Sequence, residues 1–133
     1  MSENKIKILV VDDEIHFLDS IAKRLELRGF EVDKAPSGTT AIQLASYKNY
    51  DLAIVDLKMP DVDGKQILEY LKSNQRNIEV LILTGHGSDE TANECLKLGA
   101  YAYLPKPYEF EELVRLLFEA YKLVQQNIFD PNR

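Results

Sequence analysis

Residues 6–13 read Ile-Lys-Ile-Leu-Val-Val-Asp-Asp, and this stretch decides the fold. It is nearly all aliphatic as far as Val11 and then changes abruptly to two aspartates. Continuous apolar character indicates a strand that is buried on both faces, as in parallel sheets. The stretch therefore predicts a strand inside a parallel sheet, with two carboxylates at its carboxyl end.

Three later apolar runs end in the same manner. Ala53-Ile54-Val55 runs into Asp56, Leu81-Ile82-Leu83 runs into Thr84, and Ala102-Tyr103-Leu104 is followed closely by Lys106. The carboxyl ends of parallel strands meet at one edge of a sheet, and functional residues gather there. We therefore expect three carboxylates, a hydroxyl and an ammonium to converge on one site.

Helical patterns separate the strands and complete the fold prediction. The predicted strands cover residues 6–11, 31–35, 52–55, 79–83 and 101–104, and the second is the least apolar and therefore placed at an edge. Gly29 is predicted to end the first helix, Ser88 or Asp89 to begin the fourth, and Glu109 to begin the last. The predicted buried faces of the helices comprise Ile15, Leu18, Ala22 and Leu25; Ala41, Ile42, Leu44 and Ala45; Ile67, Leu68 and Leu71; Ala92, Cys95 and Leu96; and Phe110, Leu113, Leu117, Ala120 and Val124. About five βα units predict a single-domain α/β protein with an open, doubly wound sheet.

The bulk composition narrows the class of protein. The chain has 133 residues, 45% of them hydrophobic, which suits one globular domain with its own core. A net charge of −6 argues against direct binding to nucleic acid, which requires a basic face. Cys95 is the single cysteine, no apolar run could span a bilayer, and the polar start carries no signal peptide. We expect a cytoplasmic protein without a membrane partner, ending in a short polar tail at 126–133.

The predicted acidic cluster calls for a cation. At an effective dielectric near 20, two charges about 4 Å apart repel by about 4 kcal/mol. Asp12, Asp13 and Asp56 would therefore either take up protons or bind a cation. Hard carboxylate oxygens suit Mg²⁺, with Mn²⁺ as a substitute.

The same site could receive a phosphoryl group. A carboxylate such as that of Asp56 can act as a nucleophile and form an acyl phosphate. Thr84 could donate a hydrogen bond to a phosphoryl oxygen, and Lys106 could neutralise another. Gly85 would let the backbone approach the phosphate closely.

Four motifs in this order resemble the receiver domain of bacterial two-component response regulators, of the chemotaxis-regulator type. The resemblance covers residues 5–125. The motifs are Val-Val-Asp12-Asp13-Glu14, Asp56-Leu-Lys-Met59-Pro60-Asp-Val-Asp63-Gly64, Leu-Thr84-Gly-His-Gly, and Gly99-Ala-Tyr-Ala-Tyr103-Leu-Pro-Lys106-Pro107. The resemblance implies a flavodoxin-like parallel sheet of five strands in the order 2-1-3-4-5, flanked by five helices.

The resemblance also implies a role for each matched residue. Asp56 is the phosphoacceptor, and Asp12, Asp13, Asp56 and the main-chain carbonyl of Lys58 bind Mg²⁺. Thr84 and Lys106 are phosphate ligands, and Thr84 and Tyr103 are switch residues.

A sensor histidine kinase or a phosphotransfer protein is the implied donor. The face of the fourth helix, fifth strand and fifth helix is then expected to regulate a partner or an output domain. Such a protein is a signalling switch that promotes only its own phosphorylation and dephosphorylation.

Two local features of the sequence differ from the commonest receiver-domain pattern or extend it. Tyr101-Ala102 stands where many DNA-binding winged-helix regulators have acidic residues that join receiver dimers, so that dimer mode is not expected here. Whether phosphorylation produces a homodimer stays open. Lys58 and His86 could flank the phosphoryl group, and we hypothesise that Lys58 shields the acyl phosphate from water.

Several alternatives compete with the switch. Asp12-Asp13-Glu14 could merely cap a helix, Lys106 could be a solvated loop lysine, and Tyr103 a sheet-end aromatic. A phosphatase of the haloacid-dehalogenase type would need Asp-x-Asp-x-Thr after the first strand, and the chain has Asp-Asp-Glu-Ile-His there. A pseudo-receiver that only binds partners ranks low, because all five site residues are present. FMN binding is not expected, because no Ser/Thr/Gly-rich loop follows the first strand.

Overall fold

Strands and helices alternate along the chain in the computed structural model, which describes residues 5–75 and 77–128. The elements are β1 Lys7–Val11, α1 Ile15–Leu27, β2 Glu31–Ala35, α2 Gly38–Tyr47, β3 Leu52–Val55, α3 Gly64–Asn74, β4 Glu79–Thr84, α4 Asp89–Lys97, β5 Ala102–Pro105 and α5 Phe110–Ile128. Each predicted strand is present, with its ends shifted by at most one residue.

The five strands form one parallel sheet in the order β2-β1-β3-β4-β5, which confirms the fold that the resemblance implied. The less apolar β2 lies at an edge, as predicted. In the register, Val11 pairs with Val55, and Thr84 pairs with Pro105. The residues that follow β1 and β3 therefore leave the sheet side by side.

Two hydrophobic cores cover the two faces of the sheet. Leu9 and Val11 of β1 point into the core formed with α2, α3 and α4, whereas Ile8 and Val10 point into the core formed with α1 and α5. This burial on both sides explains the unbroken apolar character of the central strands. The carboxyl edge of the sheet is left for the loops that carry the polar residues.

Local signals set the ends of several helices. Gly29, with a φ of +96°, follows α1 in the left-handed conformation that glycine adopts most easily. The hydroxyl of Ser88 accepts a hydrogen bond from the Thr91 N–H, so Ser88 caps α4, and of the two predicted candidates Asp89 is the first helical residue. Asp63 caps α3 in a reciprocal pairing with Gln66.

Two predicted core residues, Leu96 and Ile15, are exposed, and three others, Ile42, Leu44 and Ala92, are only half-buried. Leu96 is 46% exposed, because α4 contacts the core through Cys95 and the next residue lies about 100° further around the helix. Ile15 is 50% exposed, because it begins α1 before the turn that contacts the sheet. In contrast, the predicted buried stripe of α5 is confirmed at all five positions.

The last helix extends further than the sequence indicates. α5 continues through residue 128, so residues 126–128 belong to it and not to a polar tail. The remainder of the predicted tail, 129–133, lies outside the described residues. In the part of the chain that the structure describes, no helix is long and apolar enough to cross a membrane.

Candidate functional site

The carboxyl ends of β1 and β3 bring two buried aspartates together. The Asp56 N–H donates to the carbonyl of Val11 at 3.0 Å, and the Asp12 N–H donates to the carbonyl of Ala35 at 3.1 Å. These bonds continue the ladders for one residue beyond each strand. They place Asp12 and Asp56, which are 2% and 3% exposed, at the edge of the sheet.

A third carboxylate joins the pair. Asp12, Asp13 and Asp56 can each present an oxygen within 4.8 Å of the others. Asp13 is exposed, so the cluster faces solvent on one side. Three carboxylate oxygens at this spacing are a donor set that suits a hard divalent cation such as Mg²⁺.

Lys106 reaches this cluster from the end of β5. Its Nζ lies 2.7 Å from Oδ2 of Asp12, 2.7 Å from Oε1 of Glu14 and 3.6 Å from Oδ2 of Asp56. The ammonium also lies 4.0 Å from the centroid of the Phe17 ring, within the range of a cation–π interaction. Sequence reasoning therefore placed Lys106 correctly in the site but missed Glu14 and Phe17 as its neighbours.

The electrostatics of the cluster keep Lys106 charged. Burial alone would lower the pKa of the Lys106 ammonium, but hydrogen bonds to Asp12 and Glu14 outweigh it and raise that pKa. Burial raises the pKa of Asp12 although Lys106 opposes the shift. The hydrogen bond from Lys106 lowers the pKa of the more exposed Glu14. The site therefore combines a fixed cation with carboxylates in different environments.

Thr84 ends β4 beside Lys106. Its side chain is buried, and its Oγ1 accepts a hydrogen bond from the His86 N–H at 3.1 Å. The carbonyl of Thr84 accepts a hydrogen bond from the Lys106 N–H at 2.9 Å. Both predicted phosphate ligands thus belong to one hydrogen-bonded corner, in which the Lys106–Pro107 peptide is cis.

The backbone after Asp56 is held close to the cluster. The Lys58 N–H lies 3.4 Å from Oδ1 of Asp56. A Cβ at Gly64 would overlap the carbonyl oxygen of Asp56 and lie 2.5 Å from Cα of Leu57. Gly64, a further residue that sequence reasoning did not assign to the site, therefore allows α3 to begin directly against the Asp56–Leu57 backbone. Its signal in the sequence is the Asp-Gly pair that ends the second motif.

Solvent reaches Asp56 through an open depression of about 320 Å³. Its lining residues are Asp13, Glu14, Asp56, Lys58, Met59, Pro60 and His86. Lys58 and His86 therefore flank the opening, as the sequence suggested. A group that carries a phosphoryl could approach the Asp56 carboxylate from this side.

Tyr103 lies outside the carboxylate cluster. Its hydroxyl is buried against Gly87 and, among the described residues, has no hydrogen-bond partner. Burial raises the pKa of this hydroxyl. The ring borders a second, larger depression of about 610 Å³ between α4 and β5, which also includes Thr84, Ser88, Leu96 and Tyr101.

A family model described as the response regulator receiver domain matches residues 8–118. The chain is 42% identical over 109 residues to the probable transcriptional regulatory protein SilR of Salmonella typhimurium, covering 82% of this chain and 48% of SilR. It is 38% identical over 120 residues to the transcriptional regulatory protein ZraR of Klebsiella oxytoca, covering 90% of this chain and 27% of ZraR. The chain thus spans about half or less of the length of these curated relatives.

Solved structures agree with the family match. A CheY-like receiver domain protein from Methanospirillum hungatei JF-1 has a TM-score of 0.89 and 29% identity, covering 92% of this chain and 98% of that one. A response regulator protein from Burkholderia pseudomallei, solved with a phosphorylated aspartic acid, a calcium ion and citrate, has a TM-score of 0.82 and 31% identity, covering 94% of this chain and 74% of that one.

The chain belongs to the response regulator receiver domain family. It is a phosphoacceptor receiver domain of the two-component type, that is, a signalling switch. This confirms the family and the flavodoxin-like fold that the sequence motifs implied.

Proposed function

We propose that Asp56 is the residue that accepts the phosphoryl group, from a phosphohistidine on a sensor histidine kinase or a phosphotransfer protein. One observation carries the proposal. The Asp56 carboxylate lies beside two other aspartates and 3.6 Å from the Lys106 ammonium, and it borders a depression open to solvent. A buried carboxylate that ends an apolar strand needs a partner or a function, and this arrangement offers both.

The acidic cluster is proposed to hold Mg²⁺, or Mn²⁺ in its place. Asp12, Asp13, Asp56 and the main-chain carbonyl of Lys58 would be the protein ligands. The donor chemistry fits, because three carboxylate oxygens lie within 4.8 Å of one another. When bound, the cation would reduce repulsion between the phosphoryl oxygens and the carboxylates.

Transfer forms one bond and breaks another. An oxygen of Asp56 attacks the phosphorus atom, and the phosphorus–nitrogen bond to the donor imidazole breaks. The bonding electrons stay on the imidazole nitrogen. Lys106 is close enough to neutralise a phosphoryl oxygen, and Thr84 can donate its hydroxyl hydrogen to another.

The added charge is proposed to drive the switch. Phosphorylation adds about two negative charges, and Lys106 and Thr84 would shift toward them. Thr84 lies directly before the loop that leads to α4, so its movement would reach the face formed by α4, β5 and α5. A change in population from 1:99 to 99:1 needs about 5.5 kcal/mol, which a few charge-assisted contacts can supply.

The proposed partners are the phosphodonor and a downstream protein or output domain. The receiver region, proposed as residues 5–125, promotes its own phosphorylation and dephosphorylation and acts on no external substrate.

We propose no direct contact with nucleic acid by this acidic domain, whose net charge is −6. A cytoplasmic location, without a membrane partner, fits a histidine kinase donor. Phosphorylation-dependent dimerisation is tested by measuring the molecular mass in solution before and after phosphorylation.

Intact-mass spectrometry with acetyl phosphate tests the proposal. Wild type should gain one phosphoryl group when Mg²⁺ is present and little when it is chelated. Asp56→Ala should gain none, whereas Asp19→Ala, which alters an exposed aspartate on α1, should behave as wild type. If wild type gains no phosphoryl group, the pseudo-receiver is favoured. Turnover of varied phosphomonoesters would favour the phosphatase of the haloacid-dehalogenase type.

A further inference from the structure

Gly87 lies where a side chain would collide with Tyr103. A Cβ placed at Gly87 would coincide with the hydroxyl oxygen of Tyr103, overlap Cζ and lie 3.2 Å from Cε1. The overlap is with the ring itself, so rotation of the hydroxyl cannot relieve it. The ring can occupy this position, in which its hydroxyl is buried, only because residue 87 has no side chain.

The backbone does not require glycine at this position. Among the described residues, the glycines with positive φ are Gly29 and Gly99, and Gly87 is not one of them. Alanine could therefore adopt the backbone conformation of residue 87. The comparison with Gly85 is informative, because a Cβ there would meet only Cβ of Lys106, at an ordinary 3.8 Å. The steric need for glycine in this loop is therefore specific to position 87.

Packing alone holds the Tyr103 hydroxyl. It is buried and has no hydrogen-bond partner in the described part of the chain. A buried hydroxyl that lacks a partner gives up its hydrogen bonds to water, so burial of this hydroxyl is opposed by desolvation. Outward rotation would restore those bonds, and a small steric change should suffice to cause it.

We propose that Gly87 is a positioning residue that sets the balance between the observed position of Tyr103, with its hydroxyl buried, and outward positions in which the hydroxyl is exposed. The inference rests on the proposed function, in which movement of Thr84 reaches the α4–β5–α5 face, and on the role of switch residue that the family resemblance implies for Tyr103. Gly87 lies in the loop between Thr84 and α4, and Tyr103 lies on β5 beside Leu96 and Tyr101. The packing of the Tyr103 ring against Gly87 thereby links movement of the loop between Thr84 and α4 to the shape of the α4–β5–α5 face.

Fluorine NMR of protein labelled with 3-fluorotyrosine measures the position of the ring. The chain has seven tyrosines, and Tyr103→Leu identifies the resonance that disappears. In Gly87→Ala the Tyr103 resonance should become solvent-exposed, with the ratio of buried to exposed hydroxyl falling at least about tenfold, because close-packed sites do not absorb such an overlap. A Tyr103 resonance that stays shielded in Gly87→Ala would overturn the proposal.

The same substitution in a Tyr103→Leu background is the matched control. Without the ring, Gly87→Ala should leave the thermal midpoint unchanged or slightly higher, because alanine restricts the unfolded chain. An equal fall of the midpoint in both backgrounds would assign the effect to the backbone and overturn the proposal. If Gly87→Ala alone does not fold, recovery of folding in the double variant supports the proposal, and failure of the double variant contradicts it.

The ring measurement uses unphosphorylated protein and is therefore separate from the phosphorylation assay. Tyr103 could leave its observed position in Gly87→Ala even if wild type takes no phosphoryl group. That result would contradict the proposed function and support the steric role of Gly87. Rapid phosphorylation of Asp56 in wild type, together with a Tyr103 ring that does not move in Gly87→Ala, would support the proposed function and contradict the role of Gly87.

Discussion

Lys106 lies close to carboxylates that follow β1 and to the carboxylate that follows β3. Its ammonium contacts Asp12 from β1 and Glu14 from the segment before α1, and it lies 3.6 Å from Asp56 beyond β3. The Phe17 ring covers the same ammonium from α1. In the unphosphorylated protein Lys106 therefore compensates carboxylates, and a phosphoryl group on Asp56 would compete for the same cation.

Lys58 is expected to set the lifetime of the acyl phosphate. Its exposed side chain borders the depression over Asp56, where it can obstruct in-line attack by water. Lys58→Asn should therefore hydrolyse its acyl phosphate several-fold faster than wild type, measured as loss of phosphorylated mass over time. Lys23→Asn, which changes an exposed lysine on α1, is the control. Equal decay in Lys58→Asn and wild type would remove the shielding hypothesis.

The residues that end strands could be predicted from the sequence more readily than the residues that contact them in the folded chain. Asp12, Asp56 and Thr84 could be predicted, because apolar runs locate the edge of a parallel sheet. The contact between Lys106 and Glu14 joins residues 92 positions apart and depends on how α1 is oriented against the end of β5. No periodicity encodes that orientation, and a carboxylate after two aspartates reads equally well as a helix cap.

At the scale of elements, loops fix the site as firmly as strands do. The segment between β3 and α3 is held at Gly64, whose N–H donates to the carbonyl of Leu57 at 2.9 Å. The same segment is held at Asp61, which accepts hydrogen bonds from the start of α2. Glycine and aspartate are common turn residues, so the sequence indicated a loop there but not what the loop contacts.

Gly64→Ala should disturb both stability and phosphorylation. The added Cβ would overlap the carbonyl oxygen of Asp56, and overpacking of this kind costs about 1–3 kcal/mol. We expect a lower free energy of unfolding in urea and slower phosphorylation by acetyl phosphate. Lys65→Ala, one position further along α3, should change neither by a comparable amount. Wild-type values in Gly64→Ala would show that α3 does not constrain the Asp56 segment.

Asp61 should stabilise the fold in a pH-dependent manner. Its carboxylate accepts from the Thr39 hydroxyl and N–H and from the Gly38 N–H, and these bonds hold its pKa below the ordinary value of 3.8. Because the folded-state pKa is lowered, the stabilisation is complete above the unfolded-state pKa and is lost as the pH falls through the folded-state value.

Thermal unfolding across pH measures this contribution. Asp61→Ala should lower the midpoint by a few degrees near neutral pH, and the difference from wild type should shrink below about pH 4. Glu69→Ala, at an exposed position on α3, is the control for loss of a surface carboxylate. A difference that stays constant down to the most acidic samples would contradict the assigned hydrogen bonds.

At the scale of the whole molecule, the fold brings distant segments to one edge. The five residues of the proposed site span positions 12 to 106, and the strand order places β1 between β2 and β3 so that the winding reverses there. Local patterns in the sequence predicted the alternating strands and helices of a doubly wound sheet, whereas the strand order was implied by the resemblance to receiver domains. The local patterns misplaced Ile15, Leu96 and the end of α5, where exposure and helix length depend on little buried area.

Mg²⁺ should stabilise the folded chain by binding the acidic cluster. At a free concentration 100 times Kd, a ligand that binds only the folded state adds about 2.7 kcal/mol. Wild type should therefore show a higher thermal midpoint in Mg²⁺ than in NaCl of equal ionic strength. Asp13→Asn removes an exposed ligand without disturbing the core, and its shift should be much smaller. Equal shifts in the two proteins would contradict the assigned cation site.

The most direct test of the central claim locates the acyl phosphate in the chain. Protein incubated with acetyl phosphate and Mg²⁺ is reduced with borohydride, which converts a phosphorylated aspartate into homoserine, and is then sequenced by tandem mass spectrometry. The account predicts homoserine at position 56 and at no other aspartate, and none when Mg²⁺ is chelated. Homoserine at a different position, or its absence from the treated protein, would contradict it.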